Sequence, residues 1–82
     1  MRIYIAGPYS QAAIDAAEAL IALGHTPLTF WCAYTLEWSD VCDAVLRLPG
    51  PSVEADAEVA RAKALSKPVW YSLADVPEGV KL

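Results

Sequence analysis

Apolar residues follow two alternating rhythms along this chain. Ile3-Tyr4-Ile5-Ala6 is an unbroken apolar run, rich in β-branched and aromatic residues and stopped by Gly7-Pro8, which predicts a buried strand ending at a turn. From Ser10 the spacing becomes helical: Ala13, Ile14, Ala17, Leu20 and Ile21 recur on one stripe up to Gly24. This predicts a helix with Ser10 as N-cap, that stripe facing inward, and Gly24 as its left-handed stop. Pro27-Leu28-Thr29-Phe30 predicts a second strand after an exposed Gly24-His25 turn, and Tyr34 to Asp40 a short helix. Ala44 to Leu48 predicts a third strand, closed by Pro49-Gly50-Pro51. Ser52 then offers an N-cap for an Ala-rich helix from Val53 to about Leu65, Pro68 to Ser72 predicts a fourth strand, and Asp75 to Leu82 reads as turn.

Strands alternating with helices at this spacing imply βαβ units. The fold class is therefore α/β: a small flavodoxin- or Rossmann-like sandwich, with a parallel sheet of about four strands and helices on both faces. Such sheets bind ligands at the carboxyl ends of their strands. The turn Gly7-Pro8-Tyr9-Ser10 and the loop Pro49-Gly50-Pro51-Ser52 both belong to that edge.

The chain has 82 residues, which bounds it to a single domain spanning 1–82. Burying about 8,000 Å² on folding, ~60% of it apolar, yields about 120 kcal/mol of transfer free energy. The ordering cost, at ~1.5 kcal/mol per residue, is of the same size. A hydrophobic fraction of 56%, with three Trp, four Tyr and one Phe, is rich for such a marginal monomer. It leads us to expect apolar surface shared in a homodimer or higher homo-oligomer. A net charge of −4 provides no footprint for a nucleic-acid polymer or an anionic membrane. No apolar run reaches membrane-spanning length and no export signal follows Met1, so a cytoplasmic protein is expected. Cys32 and Cys42 with one His are too few ligands for a structural metal site, and read as buried free thiols.

Among residues able to carry chemistry, Ser52, Glu54, Asp56 and Glu58 cluster at a helix start. First-turn carboxylates complement the helix dipole, which needs no function. Glu58 lies too deep for that role, and it shares a face with Glu54 one turn earlier while Asp56 points away. Two carboxylates so placed push one pKa upward, an arrangement that separates acid from nucleophile.

Four stretches occur in a recognisable order: Tyr4-Ile5-Ala6-Gly7-Pro8, Cys42-Asp43-Ala44-Val45-Leu46-Arg47-Leu48-Pro49-Gly50, Ser52-Val53-Glu54-Ala55-Asp56-Ala57-Glu58 and Lys67-Pro68-Val69. Over nearly its whole length the chain resembles the nucleoside 2-deoxyribosyltransferase-like superfamily. The likeness is greatest to its small bacterial and phage members, which are related to the 2'-deoxynucleoside 5'-phosphate N-hydrolases. The resemblance implies cleavage of an N-glycosidic bond in a (deoxy)nucleoside or nucleotide, through a covalent glycosyl-enzyme, without a cofactor. It places the nucleophile on Glu58 and the tyrosine that orients it on Tyr4. It further implies substrate contacts from Ser52, Asp43, Gly7, Pro8 and Gly50, and an apolar base pocket for which Trp31 and Trp38 are the better candidates and Trp70 a lesser one. Each has a plainer reading: Tyr4 and the Trp residues as core, Ser52 as N-cap, Asp43 as strand start, the glycines as turns. His25 is expected to be inert.

Two departures from the family pattern shape the reading. The acidic residue that assists the leaving base falls on Thr35, and the helix-entry glycine is Glu54, whose charge disfavours a monophosphate near Ser52. Cβ atoms at i and i+4 lie ~5 to 6 Å apart, close to the carboxyl spacing of retaining glycosidases, so Glu54 is the candidate replacement acid. The rival reading is a nucleoside- or nucleotide-binding module or sensor that kept the fold without turnover. A third is a structural subunit, in which Tyr4, Ser52 and Glu58 would lie apart or covered.

Overall fold

The computed structural model describes residues 1–8, 10–28 and 42–78. Its elements run β1 (Arg2–Ala6), α1 (Gln11–Ala22), β2 (Thr26–Leu28), β3 (Ala44–Arg47), α2 (Val53–Ala64) and β4 (Val69–Trp70), followed by a 3₁₀ turn at Leu73–Asp75. The strands form one all-parallel sheet in the order β2-β1-β3-β4. This is the α/β architecture that the alternation predicts. The chain steps one way from β1 to β2 and the other way from β3 to β4, so the winding reverses between β1 and β3. In doubly wound sheets, ligands bind at the carboxyl edge of that switch point.

Alternation along the strands divides the core into two layers. Ile3, Ile5, Ala44 and Leu46 face Ala13, Ala16 and Leu20 of α1. Tyr4, Ala6 and Val45 face Ala55, Val59 and Ala62 of α2. Each helix meets the sheet largely through alanines, which let it lie close to a narrow sheet. Two strands are shorter than their apolar runs suggest: β3 ends at Arg47, and β4 keeps two residues of five, Ser72 instead capping the 3₁₀ turn through the Ala74 amide. Leu48 still extends the ladder beyond β3, its amide donating to the Ala6 carbonyl at 2.8 Å.

The inward face of α1 is rotated from the expected one. Ala13, Ala16 and Leu20 are buried, whereas Ile14 and Ile21 lie on an exposed flank, Ile21 with 61% of its surface open. They sit about 80 to 100° round the helix from Ala13, beyond the reach of so narrow a sheet. Ser10 has the extended backbone of an N-cap but makes no side-chain cap hydrogen bond.

His25 also departs from expectation. It is only 5% exposed, and its Nε2 lies 2.6 Å from the Pro77 carbonyl while its Nδ1 lies 3.2 Å from the N-terminal ammonium. A carbonyl can only accept, so Nε2 carries the proton and Nδ1 accepts from the ammonium. His25 thus ties the start of β1 to the segment after the 3₁₀ turn, where Val76 enters the α1-side core. Part of the stretch read as tail is therefore structural. The rest of the expected second strand (Thr29, Phe30), the short helix over Tyr34 to Asp40, and Trp31, Cys32, Thr35 and Trp38 lie outside the described residues.

His25→Ala is expected to lower unfolding free energy by about 1 to 3 kcal/mol, the cost of orphaning buried polar partners. Urea titration measures the loss, and amide exchange should show it concentrated in residues 76–78.

Candidate active site

The carboxyl edge of the switch point is built by two loops packed on each other. A Cβ added at Gly7 would stand 2.9 Å from Leu48 Cβ, and one at Gly50 would stand 3.1 Å from Pro8 Cγ. Gly50 also has φ +114, a conformation that side chains rarely adopt. This packing accounts for Gly7, Pro8 and Gly50 without a ligand. The second loop enters α2 through Ser52, whose Oγ accepts from the Ala55 amide at 3.1 Å. Its N-cap role is therefore real.

That cap fixes the rotation of α2. With Ala55, Val59 and Ala62 against the sheet, a step of about 100° per residue puts Glu58 and Glu54 on one flank and Asp56 and Lys63 on the other. Tyr4 projects from β1 on the α2 side and is fully buried. Its hydroxyl donates to Glu58 Oε2, joining the first strand to the second turn of α2 across 54 residues of sequence. Tyr4, Glu58 and Glu54 are thereby brought to one place.

The charges in this place are coupled. Burial pushes the Glu58 carboxyl above its ordinary value; the Tyr4 hydroxyl holds it down, Glu54 raises it and Arg47 lowers it. The Tyr4 phenol is driven well above its ordinary range, first by burial and then by its hydrogen bond to Glu58 and that residue's charge. Tyr4 is thus a fixed donor at any physiological pH, and Glu58 is the group that titrates.

Arg47 is a member of the site that the pattern reading passed over. It ends β3 opposite Ala6 on the α2 side, and its guanidinium donates to the carbonyls of Leu48 and Gly50, to Gly50 at 2.9 Å. It also donates to Asp56 Oδ1 at 3.2 Å, its own side chain 10% exposed against 73% for Asp56. One cation therefore pins the β3–α2 loop to the first turn of α2. The signal was present in the sequence: a lone arginine inside a buried strand must find acceptors close by.

An open cleft of about 310 Å³ lies on the Asp56 flank, lined by Arg47, Leu48, Pro49, Gly50, Asp56 and Tyr71. Tyr4, Glu54 and Glu58 do not line it. Asp43 is not brought to the site at all. It sits at the amino edge, where its Oδ2 accepts from the Arg2 amide at 2.7 Å, a strand length of about 13 Å from the carboxyl edge. Trp70 packs against the α1-side core. Cys42 is buried, and burial raises its thiol pKa against the pull of Lys67, so it is a poor nucleophile. Among the described residues no group of three or more His, Cys, Asp or Glu could hold a metal ion, and no helix is long and apolar enough to cross a membrane.

Compared with known proteins, the chain matches no family model, no curated protein and no solved structure.

The raised pKa of Glu58 has a definite sign in stability. The native state holds the Glu58 proton more tightly than the unfolded chain, whose value is near 4.5. The group costs nothing below that pH, and its penalty grows as pH rises through the raised value. Glu58→Gln should remove this share of the loss, so the difference in urea midpoint between variant and parent should widen in the variant's favour from about pH 4 to about pH 7.

Proposed function

We propose that this protein cleaves the N-glycosidic bond of a (deoxy)nucleoside or nucleotide, passing the sugar to water or to another base through a covalent glycosyl-Glu58 intermediate. The observation that supports this most is the buried Tyr4 hydroxyl donating to Glu58 beneath the switch-point loops. A carboxylate held by one oxygen keeps the other aimed for attack. In the first half-reaction, Glu58 attacks the anomeric carbon as the carbon–nitrogen bond breaks. The electron pair leaves with the base, which takes a proton from the Glu54 carboxyl. In the second, water or an acceptor base attacks the same carbon, Glu54 takes the proton released, and the Glu58 carboxylate departs. The scheme calls for no cofactor.

One observation favours a second reading, a nucleoside- or nucleotide-binding module without turnover. An open cleft bounded by described residues lies on the Asp56 flank of α2, and Gly7, Gly50 and Ser52 are already engaged in packing and capping.

Our proposal extends to self-association in the cytoplasm, supported by the exposed Ile14 and Ile21 on the outer flank of α1. By light scattering after size exclusion, the parent should run as a dimer or larger and Ile21→Glu should shift toward the monomer. A parent that is monomeric at all concentrations removes the assembly from the account.

The direct test is chromatographic base release from ribo- and deoxyribonucleosides and their 5'-monophosphates, with and without an acceptor base. Glu58→Gln should lower release on the order of 10³-fold. The acid limb of the parent's kcat/KM profile should follow ionisation of Glu58. Tyr4→Phe removes a group that holds the Glu58 pKa down, so the limb should move to higher pH; Glu54→Gln removes the proton donor and should lower turnover. A Glu54→Gln variant with unchanged turnover and unchanged profile would dismiss Glu54 as the acid. No release from any compound by the folded parent would favour the binding module.

A further inference from the structure

We infer that the cleft between the β3–α2 loop and Tyr71 is a second ligand site, distinct from the Tyr4–Glu58 pair, which takes a planar base of the guanine type through its adjacent N–H donors. The polar atoms of the cleft set the sign of the ligand. Arg47 commits its guanidinium to the Leu48 and Gly50 carbonyls and to Asp56, so an incoming anion would have to compete with three acceptors already in place. Asp56 is the opposite case. Its carboxylate accepts at about four positions; Arg47 takes one on Oδ1, and the side chain remains 73% exposed. Arg47 holds that carboxylate still without neutralising its capacity, and the cleft therefore asks for donors.

Its shape asks for a flat molecule. Tyr71 lines the cleft with 57% of its surface open, and the Lys63 ammonium lies 6.0 Å from its ring centroid, at the outer limit of a cation–π contact. An aromatic wall with Leu48 and Pro49 beside it suits ring stacking. About 310 Å³ lies at the small end of ligand sites, enough for one heterocycle or nucleoside. A carboxylate takes two neighbouring N–H donors as a bidentate pair, and among nucleobases the ring N–H beside a 2-amino group on guanine presents that edge. Inosine has the same ring without the amino group. Asp56 and Glu58 lie on opposite flanks of α2, so a ring held here is not the base of a sugar seated at Glu58. The inference stands on the cleft alone and does not require turnover.

The test is titration of guanosine and inosine into the parent and the Glu58→Gln protein, followed by amide chemical shifts. Guanosine should saturate, moving the amides of residues 47, 48, 50 and 71, with inosine at least about fivefold weaker for loss of one charge-assisted bond. Asp56→Asn and Tyr71→Ala should each weaken guanosine about tenfold, and Glu58→Gln should leave it unchanged. Equal binding of inosine and guanosine would overturn the inference, as would loss of binding in Glu58→Gln or no saturation with the folded parent. The inosine comparison needs no substitution and decides the matter even if Asp56→Asn fails to fold. Binding with no base release anywhere would uphold this site while defeating the glycosidic reaction. Release lost in Glu58→Gln alongside indifferent guanosine binding would do the reverse.

Discussion

The hydrogen bond from Tyr4 to Glu58 is the contact on which the rest of this small structure turns. It places a titratable carboxylate over a fully buried phenol inside the layer between sheet and helix, where an unpaired polar group would be costly. It is possible only because several independent features agree. Alternation along β1 sends Tyr4 to the α2 side. The Ser52 cap sets the rotation of α2. The alanines at 55 and 62 let the helix approach closely enough for the hydroxyl to reach. A change in any of these moves Glu58 relative to the sheet.

Around that contact the molecule divides its charges between the two flanks of one helix. On one flank, Glu54 and Glu58 form a like-charged pair beside a neutral donor. On the other, Arg47 and Asp56 form an ion pair that also secures two loop carbonyls. The β3–α2 loop between them is held from below by Arg47 and from the side by Pro8 and Gly7. Parallel strands deliver these elements to one edge because the winding reverses between β1 and β3. A four-stranded sheet and two helices thus bring Tyr4, Glu58, Arg47 and Asp56 to one end of the fold, while His25 is buried at the other.

Much of this was legible in the sequence, for identifiable reasons. The alternation of apolar runs with helical stripes carries the parallel α/β fold, because period and turn residues are local signals. Ser52 as N-cap and Glu58 sharing a flank with Glu54 follow from spacing within one helix. The facts that escaped depend on partners distant in the chain. The stripe of α1 that faces inward is not the most apolar one: a narrow sheet accommodates Ala13 and Ala16 and leaves the larger Ile14 and Ile21 outside. His25 looked like a turn residue, and its burial depends on Pro77, 52 positions away. Asp43 resembled a site residue by its place in a motif, while the parallel sheet sends it to the edge opposite the site. Val76 and Arg47 find their partners only once the sheet is assembled.

The central claim is that Glu58 becomes covalently bonded to the sugar, and its most direct test is to find that bond. Acid-quenching the protein during turnover of a nucleoside identified by base release, then digesting after Lys and Arg, isolates the peptide of residues 48–61, which contains Glu54, Asp56 and Glu58 together. The account predicts a mass increase equal to the bound sugar residue, assigned by fragmentation to Glu58 and absent from Glu58→Gln. Base release that proceeds with no adduct on this peptide, or with the sugar on Glu54 or Asp56, would contradict it.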